Sequence, residues 1–250
     1  MAFSVVIPAR YAATRLPGKP LLDIGGKPMI QHTYERARLS AADTVVIATD
    51  DERIKQVAEE FGARVCMTST AHRSGTDRIQ EVAAQLNFDD QHIVVNVQAD
   101  EPLIPPEVIN QVAENLDKNS SVGIATLCER ISSQDEIEDP NAVKVVIDHR
   151  GHALYFSRAT IPWQASASAQ NCFRHVGIYA YRVSILNQFV TWPPSELETM
   201  EKLEQLRALT NGVAIHVAVS DQPIPAGVDS EQDLEAIRRY VARQLPENAS

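Results

Sequence analysis

The chain has 250 residues, 44% of them hydrophobic and 22% charged, which is the composition of a soluble globular protein. This length allows one large domain or two small ones, with a core that buries most of its apolar surface. The formal net charge of −10 argues against general affinity for nucleic acids or membranes, so an anionic ligand would need a local cluster of cations.

The first half of the chain alternates β-branched runs with helical patterns. Buried strands are predicted at residues 3–9, 44–50, 63–69 and 92–99. Helical spacing lies between and after them, at residues 29–40, 51–61, 76–86 and 106–118. Strands that alternate with helices of this length predict βαβ units and a mainly parallel sheet.

The second half of the chain changes character. Strand-like runs follow one another with few helical stretches, at residues 122–131, 142–148, 153–163 and 173–183. Helical patterns return later, at 196–210 and 230–244, with a strand at 216–221 and an earlier loop at 163–171. The sequence predicts a single α/β domain over residues 1–250, in which a mixed or antiparallel β-rich lobe is inserted at about 120–190.

Neither a disulfide framework nor a zinc site is predicted. Cys66, Cys128 and Cys172 are odd in number, widely spaced and form no CxxC pair. The N-terminus enters a strand at once without a basic region and a long apolar stretch, so no signal peptide is expected. No run approaches the roughly 18 apolar residues of a membrane span. These features predict a cytoplasmic protein.

A basic loop follows the first strand. Arg10, Arg15 and Lys19 lie within ten residues of each other, among turn-forming Pro17, Gly18 and Pro20. Arginine binds phosphate through a fork of two N–H groups and lysine as a point charge, so this loop is a candidate anion cradle. The alternative is a solvated basic loop. The GxxxxGK[ST] and GxGxxG patterns are absent, which argues against P-loop and Rossmann-type nucleotide binding.

A second turn precedes the helix predicted at 76–86. Ser74, Gly75 and Thr76 can turn tightly and open a helix whose free N–H groups favour a polar or anionic ligand. A simple helix cap by Ser74 or Thr76 is expected in either case.

Two acidic residues are candidate metal ligands. Asp100 ends the strand predicted at 92–99, where a carboxylate is costly unless it is hydrated, paired or metal-bound. Mg²⁺ takes one or two carboxylates together with phosphate oxygens and water. Asp229 precedes the last helix and either caps it or returns to the same site. Gln98 is expected on the same side as Asp100, whereas Glu101 is expected to point away and to be structural.

Cationic residues also occur on strands of the second half. Arg158, Arg174 and His175 lie among aromatic residues and suggest a pocket for a carboxylate or a hydroxyl-rich co-substrate. The alternative for a strand histidine is an ordinary hydrogen-bonded residue. Glu204 and Gln205, amid helical leucines, are by default residues of a solvated face.

Eight segments occur in order between about residue 3 and residue 235: IPARYAATRLPGKPL, HRSGTDR, VNVQADEPLIPP, NAVKVV, ALYFSRATIPW, FRHVGIYAYR, LEQLR and GVDSEQDLE. Together they resemble the 3-deoxy-manno-octulosonate (Kdo) cytidylyltransferases, also called CMP-Kdo synthetases. The first of them is shared by sugar nucleotidyltransferases generally. The fifth and sixth are more particular to the Kdo enzymes.

The resemblance implies a GT-A-like nucleotidyltransferase fold and the reaction of CTP with Kdo to give CMP-Kdo and pyrophosphate. It implies Mg²⁺ as the cofactor, a role in lipopolysaccharide synthesis, and a homodimer whose β-rich lobe binds the sugar and forms the interface. The triphosphate would be held by Arg10, Arg15 and Lys19, and the cytidine by Arg73, Ser74, Gly75 and Asp77. The metal ligands would be Asp100 and Asp229, which with Lys19 form the catalytic set. The sugar acid would be bound by Gln98, Arg158, His175, Tyr179, Glu204 and Gln205.

Other functions share parts of this pattern. A synthetase for 8-amino-Kdo or a sialic acid would use the same phosphate chemistry with a different sugar pocket. A non-catalytic nucleotide-sensing module is disfavoured because the candidate acids and the basic loop are all present, and a glycosyltransferase because no DxD triplet occurs. One residue departs from the family pattern, since Ala99 stands where glycine is usual and adds a methyl group close to a ligand.

Overall fold

The computed structural model describes residues 1–12, 16–163 and 172–244, which form a mixed nine-stranded sheet flanked by helices. The strands of this sheet are β1 (Phe3–Ala9), β4 (Thr44–Thr49), β5 (Arg64–Met67), β6 (Ile93–Asn96), β7 (Ile124–Arg130), β8 (Lys144–Ile147), β9 (Ala153–Ser157), β10 (Phe173–Arg182) and β11 (Ile215–Val219). A separate small hairpin joins β2 (Asp23–Ile24) and β3 (Lys27–Pro28). The loop predicted at 163–171 lies almost wholly outside the described residues.

The strand order is β11-β7-β10-β6-β1-β4-β5, with β1 near the centre. β1 pairs in parallel with β4 and β6, and β4 with β5. β10 runs antiparallel between β6 and β7, and the β8–β9 pair extends from it. The mostly parallel α/β fold predicted from the alternating patterns is therefore confirmed.

Helices cover both faces of the sheet. They are α1 (Met29–Arg38), α2 (Glu52–Glu60), α3 (Gly75–Gln85), α4 (Pro106–Lys118), α5 (Gln134–Glu138), α6 (Val183–Phe189), α7 (Glu196–Glu201), α8 (Gln205–Thr210) and α9 (Glu231–Gln244). On β1, Val5 and Ile7 pack into the core shared with α1, α2 and α4. Val6 points to the opposite core, shared with α3 and α6. A strand buried on both faces needs a continuous apolar run, which explains the composition of β1.

The structure corrects several predicted elements. The strand predicted at 92–99 ends at Asn96, so Asp100 lies in a turn beyond the strand end. The helix predicted at 196–210 is two helices, α7 and α8, because Lys202 adopts the left-handed conformation with φ 56°. This break turns Leu203 and Leu206 into the core. The short helices α5 and α6 were not predicted, since five or seven residues give little periodicity.

The predicted β-rich lobe at 120–190 is continuous with the main sheet in the structure. β7 and β10 belong to the main strand order, and only β8 and β9 lie off it. The role of this lobe in sugar binding and dimerisation stays a prediction. Across the described part of the chain, no helix has both the length and the apolar character that crossing a membrane requires.

Candidate active site

A cavity of about 310 Å³ opens beyond the carboxyl ends of the parallel strands. In an open α/β sheet this edge is where ligands bind. The loops after β1, β5 and β6 converge on it. Its lining consists of Pro8, Arg10, Ala12, Lys19, Pro20, Arg73, Ser74, Gly75, Gln98, Ala99 and Asp100. Most residues predicted to bind the nucleotide are thus brought together, whereas Arg15 lies outside the described residues.

Arg10 connects two of these loops. Its guanidinium donates hydrogen bonds to the main-chain carbonyls of His72 at 3.0 Å, Arg73 at 3.3 Å and Ser74 at 2.9 Å. These contacts hold the loop after β5 against the loop after β1. Arg10 therefore shapes the cavity as well as lining it, a role that its position in a basic loop did not predict.

The turn before α3 is a complete capping box. The Ser74 hydroxyl accepts a hydrogen bond from the Asp77 amide at 3.1 Å, and the Asp77 carboxylate accepts from the amides of Ser74 at 3.0 Å and Arg73 at 3.1 Å. Ser74, rather than Thr76, is the cap. Asp77 therefore fixes the start of α3, and Gly75 at its first position lines the cavity.

Lys19 joins the two candidate metal ligands. Its Nζ lies 2.5 Å from Asp100 Oδ2 and 3.1 Å from Asp229 Oδ1. The Lys19 side chain is only 14% exposed, whereas that of Asp229 is 72% exposed. Burial lowers the pKa of Lys19, but the charges and hydrogen bonds of the two carboxylates raise it by more, so the net shift is upward. The ammonium therefore stays charged between the acids.

Lys19 is presented by a tight turn. Gly18 has φ 67°, in the left-handed region, and a Cβ there would lie 3.2 Å from the Tyr11 ring. The Gly18 amide donates to the Tyr11 carbonyl, and a 3-10 turn at Lys19–Leu21 follows. Glycine is required here by both conformation and space. The backbone of Lys19 is thereby fixed, and its long side chain remains the adjustable part.

Asp229 does not cap the last helix. The Asp233 carboxylate accepts hydrogen bonds from the amides of Asp229 at 3.0 Å and Ser230 at 2.8 Å, and Ser230 Oγ accepts from the Asp233 amide at 3.3 Å. Because Ser230 and Asp233 satisfy the start of α9, the Asp229 carboxylate is left to face Lys19. Of the two alternatives left open by the sequence, the structure favours the return of Asp229 to the site.

A close backbone contact holds Asp100 and Asp229 near each other. The Val228 amide donates to the Asp100 carbonyl at 2.9 Å. A Cβ on Gly227 would lie 3.2 Å from that same carbonyl oxygen, which is tighter than ordinary contact. The sequence did not predict a role for Gly227. The only indication was its position two residues before the candidate ligand Asp229.

The residues of this cluster fit a magnesium ion. Asp100 Oδ2 and Asp229 Oδ1 both lie within 3.1 Å of Lys19 Nζ, so a small cation at that position would contact both oxygens. Mg²⁺ prefers hard oxygen ligands and usually completes its octahedron with phosphate oxygens and water. Among the described residues no group of three or more His, Cys, Asp or Glu side chains forms a metal cluster. Asp100 and Asp229 would therefore hold the ion together with the substrate.

Glu101 is separate from this cluster. It is not part of the cavity lining, and its buried Oε2 meets no hydrogen-bond partner in the parts of the chain that the structure describes. Burial, and then the neighbouring charge of Asp100, raise the pKa of Glu101 to about 8. Glu101 is therefore largely protonated at neutral pH.

Three predicted sugar-binding residues gather at a second, small cavity of about 30 Å³. Its lining consists of Ile124, Tyr179, Tyr181, Phe189, Glu204, Gln205 and Ala208. Thr76 Oγ1 donates to Glu204 Oε2 at 2.9 Å. Within residues 1–12, 16–163 and 172–244, Glu204 Oε1 and the Tyr179 hydroxyl are buried without a hydrogen-bond partner, although Glu204 Oε1 lies 3.8 Å from Arg207 Nη2. Two unsatisfied polar atoms beside one cavity indicate a place for a polar ligand atom or a water.

Glu204 is only partly solvated, which its helical surroundings did not indicate: its side chain is 35% exposed, but its Oε1 is buried. Burial raises the pKa of Glu204, although hydrogen bonds from Ser74 and Thr76 oppose this shift. Burial also raises the pKa of Tyr179 well above its usual value. Thr76 and Arg207 lie inside the motifs HRSGTDR and LEQLR, but their contacts with Glu204 were not predicted, because the sequence does not show which side chains come within reach of this carboxylate.

The remaining sugar-side candidates lie elsewhere. Gln98 lines the nucleotide-side cavity. Arg158 donates from Nε to the Glu201 carbonyl at 2.8 Å and from Nη1 to the Pro140 carbonyl at 2.9 Å. Arg174 pairs with Glu129 and, at 3.0 Å, with Glu136. Neither arginine lines any of the cavities that the described residues form around the site.

His175 packs against Tyr179, one of the predicted sugar-binding residues. Its Nε2 lies 3.0 Å from Thr126 Oγ1, and its ring lies 5.0 Å from Phe156 and 5.3 Å from Tyr179 between centroids. Burial, and then the charge of Arg174, lower the pKa of His175 to about 3. His175 is therefore neutral at physiological pH and packs against Tyr179.

Comparison with known proteins agrees with this geometry. The family model described as "Cytidylyltransferase" matches residues 4–215. The chain is 58% identical to the 3-deoxy-manno-octulosonate cytidylyltransferase of Marinobacter nauticus, over 97% of this chain and 98% of that protein. It is 55% identical to the enzyme of the same name from Vibrio parahaemolyticus, over 98% of this chain and 100% of that protein. The chain belongs to the 3-deoxy-manno-octulosonate cytidylyltransferase family.

Solved structures support the same assignment. A CMP:2-keto-3-deoxy-manno-octonic acid synthetase complexed with CTP superposes with a TM-score of 0.92 at 43% identity, covering 98% of this chain and 100% of that one. A cytidylyltransferase from Leptospira borgpetersenii has a TM-score of 0.65 at 18% identity and shares the fold. The resemblance to the Kdo cytidylyltransferase family, and the prediction of a nucleotidyltransferase, are confirmed.

The neutral state of His175 predicts a pH dependence of stability. Its pKa of about 3 in the folded protein lies below the usual 6.5, so between these values only the unfolded chain binds a proton at this position. Stability is therefore lost as pH falls below about 6.5. Between pH 7.5 and 5.5 this site should lower the free energy of unfolding by about 1 kcal/mol.

Denaturant unfolding of wild type and His175→Asn at these two pH values measures this contribution. The variant should lose about 1 kcal/mol less than wild type, whereas the same change at the exposed His149 should leave the loss unaltered. Equal losses for wild type and His175→Asn would contradict a neutral His175.

Proposed function

We propose that this protein transfers the CMP group of CTP to the anomeric hydroxyl of Kdo and releases pyrophosphate, with Mg²⁺ as the cofactor. The observation that carries the proposal is the meeting of Asp100, Asp229 and Lys19 at the rim of the cavity lined by Arg10, Arg73 and the start of α3. The names of the relatives supply the two substrates.

The residues suit an in-line phosphoryl transfer. The anomeric oxygen of the sugar forms a bond to the α-phosphorus, the bond to pyrophosphate breaks, and the hydroxyl proton is lost to water. Such a transfer depends on positioning and charge neutralisation and needs no covalent nucleophile from the protein. Lys19 supplies positive charge beside the phosphates, and the N-terminus of α3 presents free N–H groups to the same cavity. Bound at Asp100 and Asp229, Mg²⁺ would activate the attacking hydroxyl and neutralise the triphosphate.

The sugar acid would lie between the two cavities. Gln98 lines the first, and Tyr179, Glu204 and Gln205 line the second. Thr76, which donates to Glu204, directly follows Gly75 of the first cavity. A hydroxyl-rich ligand could satisfy the buried Tyr179 hydroxyl and Glu204 Oε1. Binding of the Kdo carboxylate by Arg158 would require the guanidinium to leave its two carbonyl partners.

Assembly, location and physiological role are part of the proposal. Leu154 is 61% and Met200 77% exposed, and they lie on β9 and α7, which are adjacent because Ser157 Oγ donates to Glu201 at 2.6 Å. An exposed apolar surface of this kind supports a homodimer. We further propose that the enzyme acts in the cytoplasm and activates Kdo for lipopolysaccharide synthesis.

A pyrophosphate-release assay with CTP, Mg²⁺ and Kdo tests the proposed reaction. Turnover with CTP should exceed that with ATP, GTP or UTP by at least about tenfold, because the cavity must distinguish the base. Kdo should likewise be preferred over 8-amino-Kdo and sialic acid at saturating CTP. A preference above about tenfold for another acid sugar would overturn the assignment of Kdo, and no release with any of them would favour a nucleotide-sensing module.

Asp100→Asn tests the role of the acid pair. A neutral amide is a poor ligand for Mg²⁺, so the variant should keep the fold and lose about 100-fold or more in kcat in the same assay. Asp117→Asn, an exposed change on α4, provides the matched control and should retain wild-type turnover. Pyrophosphate release by Asp100→Asn at the wild-type rate would remove Asp100 from the mechanism.

A further inference from the structure

Lys19 stands where a cation bound by Asp100 and Asp229 would be expected. Its Nζ contacts both carboxylates at 2.5 Å and 3.1 Å, and its side chain is 14% exposed. Without a cation, two carboxylates that both reach one nitrogen would repel each other. The ammonium therefore stabilises the acid pair.

The ammonium and a magnesium ion cannot share this position. Both would need the same carboxylate oxygens, and their charges repel at such short range. Lys19 neutralises one of the two negative charges, whereas Mg²⁺ neutralises both and coordinates them directly. Binding of Mg²⁺ between the acids thus requires the Lys19 side chain to move away.

The Lys19 ammonium has a second possible position, in the cavity. Lys19 lines it together with Arg10 and Arg73, whereas Asp229 does not. The backbone of Lys19 is held by the 3-10 turn and by the hydrogen bond from its amide to the Leu16 carbonyl at 3.0 Å. Only the flexible side chain needs to rotate from the acids toward the cavity. A triphosphate there would provide the negative charge that the ammonium loses on leaving the acids.

We propose that Lys19 is a displaceable internal cation: it occupies the metal position before substrate arrives and moves to the phosphate chain when CTP and Mg²⁺ bind. This inference rests on the proposed function, because it takes Asp100 and Asp229 as the Mg²⁺ ligands. The consequence is reciprocal coupling. CTP increases the affinity for Mg²⁺ by drawing Lys19 off the acids, and Mg²⁺ increases the affinity for CTP by the same factor.

Mg²⁺ titration of nucleotide-free protein by calorimetry tests this role without any turnover. Lys19→Met keeps an unbranched side chain one atom shorter and removes the charge, so it should bind Mg²⁺ about tenfold more tightly than wild type. Lys19→Arg keeps the charge and should bind Mg²⁺ as weakly as wild type. Lys27→Met breaks an exposed ion pair with Glu35 and serves as the matched control.

Repeating the titration with an α,β-methylene analogue of CTP, and subtracting the Mg²⁺ that the analogue binds in the absence of protein, measures the coupling. Wild type should gain about tenfold in Mg²⁺ affinity from the analogue, and Lys19→Met correspondingly less. If Lys19→Met does not fold in the absence of Mg²⁺, Lys19→Gln, whose amide can donate to both acids, replaces it in the same titrations.

The outcomes separate the inference from the proposed function. If the neutral Lys19 variant and wild type bind Mg²⁺ equally well without nucleotide, the proposal that Lys19 is a displaceable cation is overturned. If wild type nevertheless binds Mg²⁺ with the analogue, and Asp100→Asn does not, the proposed metal site stands. If wild type binds no Mg²⁺ even with the analogue, both the metal site and the displaceable cation are overturned.

Discussion

The contact of one ammonium group with two carboxylates is the interaction on which the site depends. Lys19 lies 81 residues before Asp100 and 210 residues before Asp229 in the chain. Each of the three comes from a different part of the fold: the loop after β1, the turn after β6 and the segment before α9. Packing these segments together concentrates two negative charges, and Lys19 balances part of that charge.

Hydrogen bonds to main-chain carbonyls and a small apolar core, to which Leu16, Val228 and Leu234 belong, hold this arrangement. The Val228 amide donates a hydrogen bond to the Asp100 carbonyl, and Gly227 allows these two segments of the chain to approach this closely. Arg10 fixes the loop before α3 in the same way, through main-chain carbonyls. The candidate metal ligands lie on loops, whereas the sheet provides most of the stability of the fold. A site built from loops therefore needs fixed contacts of this kind to keep its geometry.

Much of the fold could be predicted from the sequence because its strands are buried on both faces. The runs around β1 and β4 are mostly apolar, and α4 begins at Pro106 as expected. The end of β6 was placed too late, since Val97 is as apolar and buried as the strand before it. The break at Lys202 could not be predicted, because helical periodicity continues through it and the core contact of Leu203 decides the conformation.

The candidate site was predictable where residue chemistry alone indicates a role. Asp100 and Lys19 were identified in this way, whereas Asp229 was assigned to the site only through the family resemblance, and the structure brings it to Lys19. The contacts of Arg10 and Arg158 with main-chain carbonyls could not be foreseen, since a sequence does not show which carbonyls come within reach. Glu204 was assigned by default to a solvated face, because the burial of its Oε1 and the hydrogen bond from Thr76 to its Oε2 arise from distant elements.

A crystal structure with CTP and Mn²⁺ in place of Mg²⁺ tests the central claim most directly, because the anomalous signal of manganese locates the ion independently. The account predicts an anomalous peak between the carboxylates of Asp100 and Asp229, with Lys19 Nζ moved from both acids to a phosphate oxygen. A peak elsewhere, or Lys19 still seated between the two carboxylates with CTP and metal bound, would contradict it.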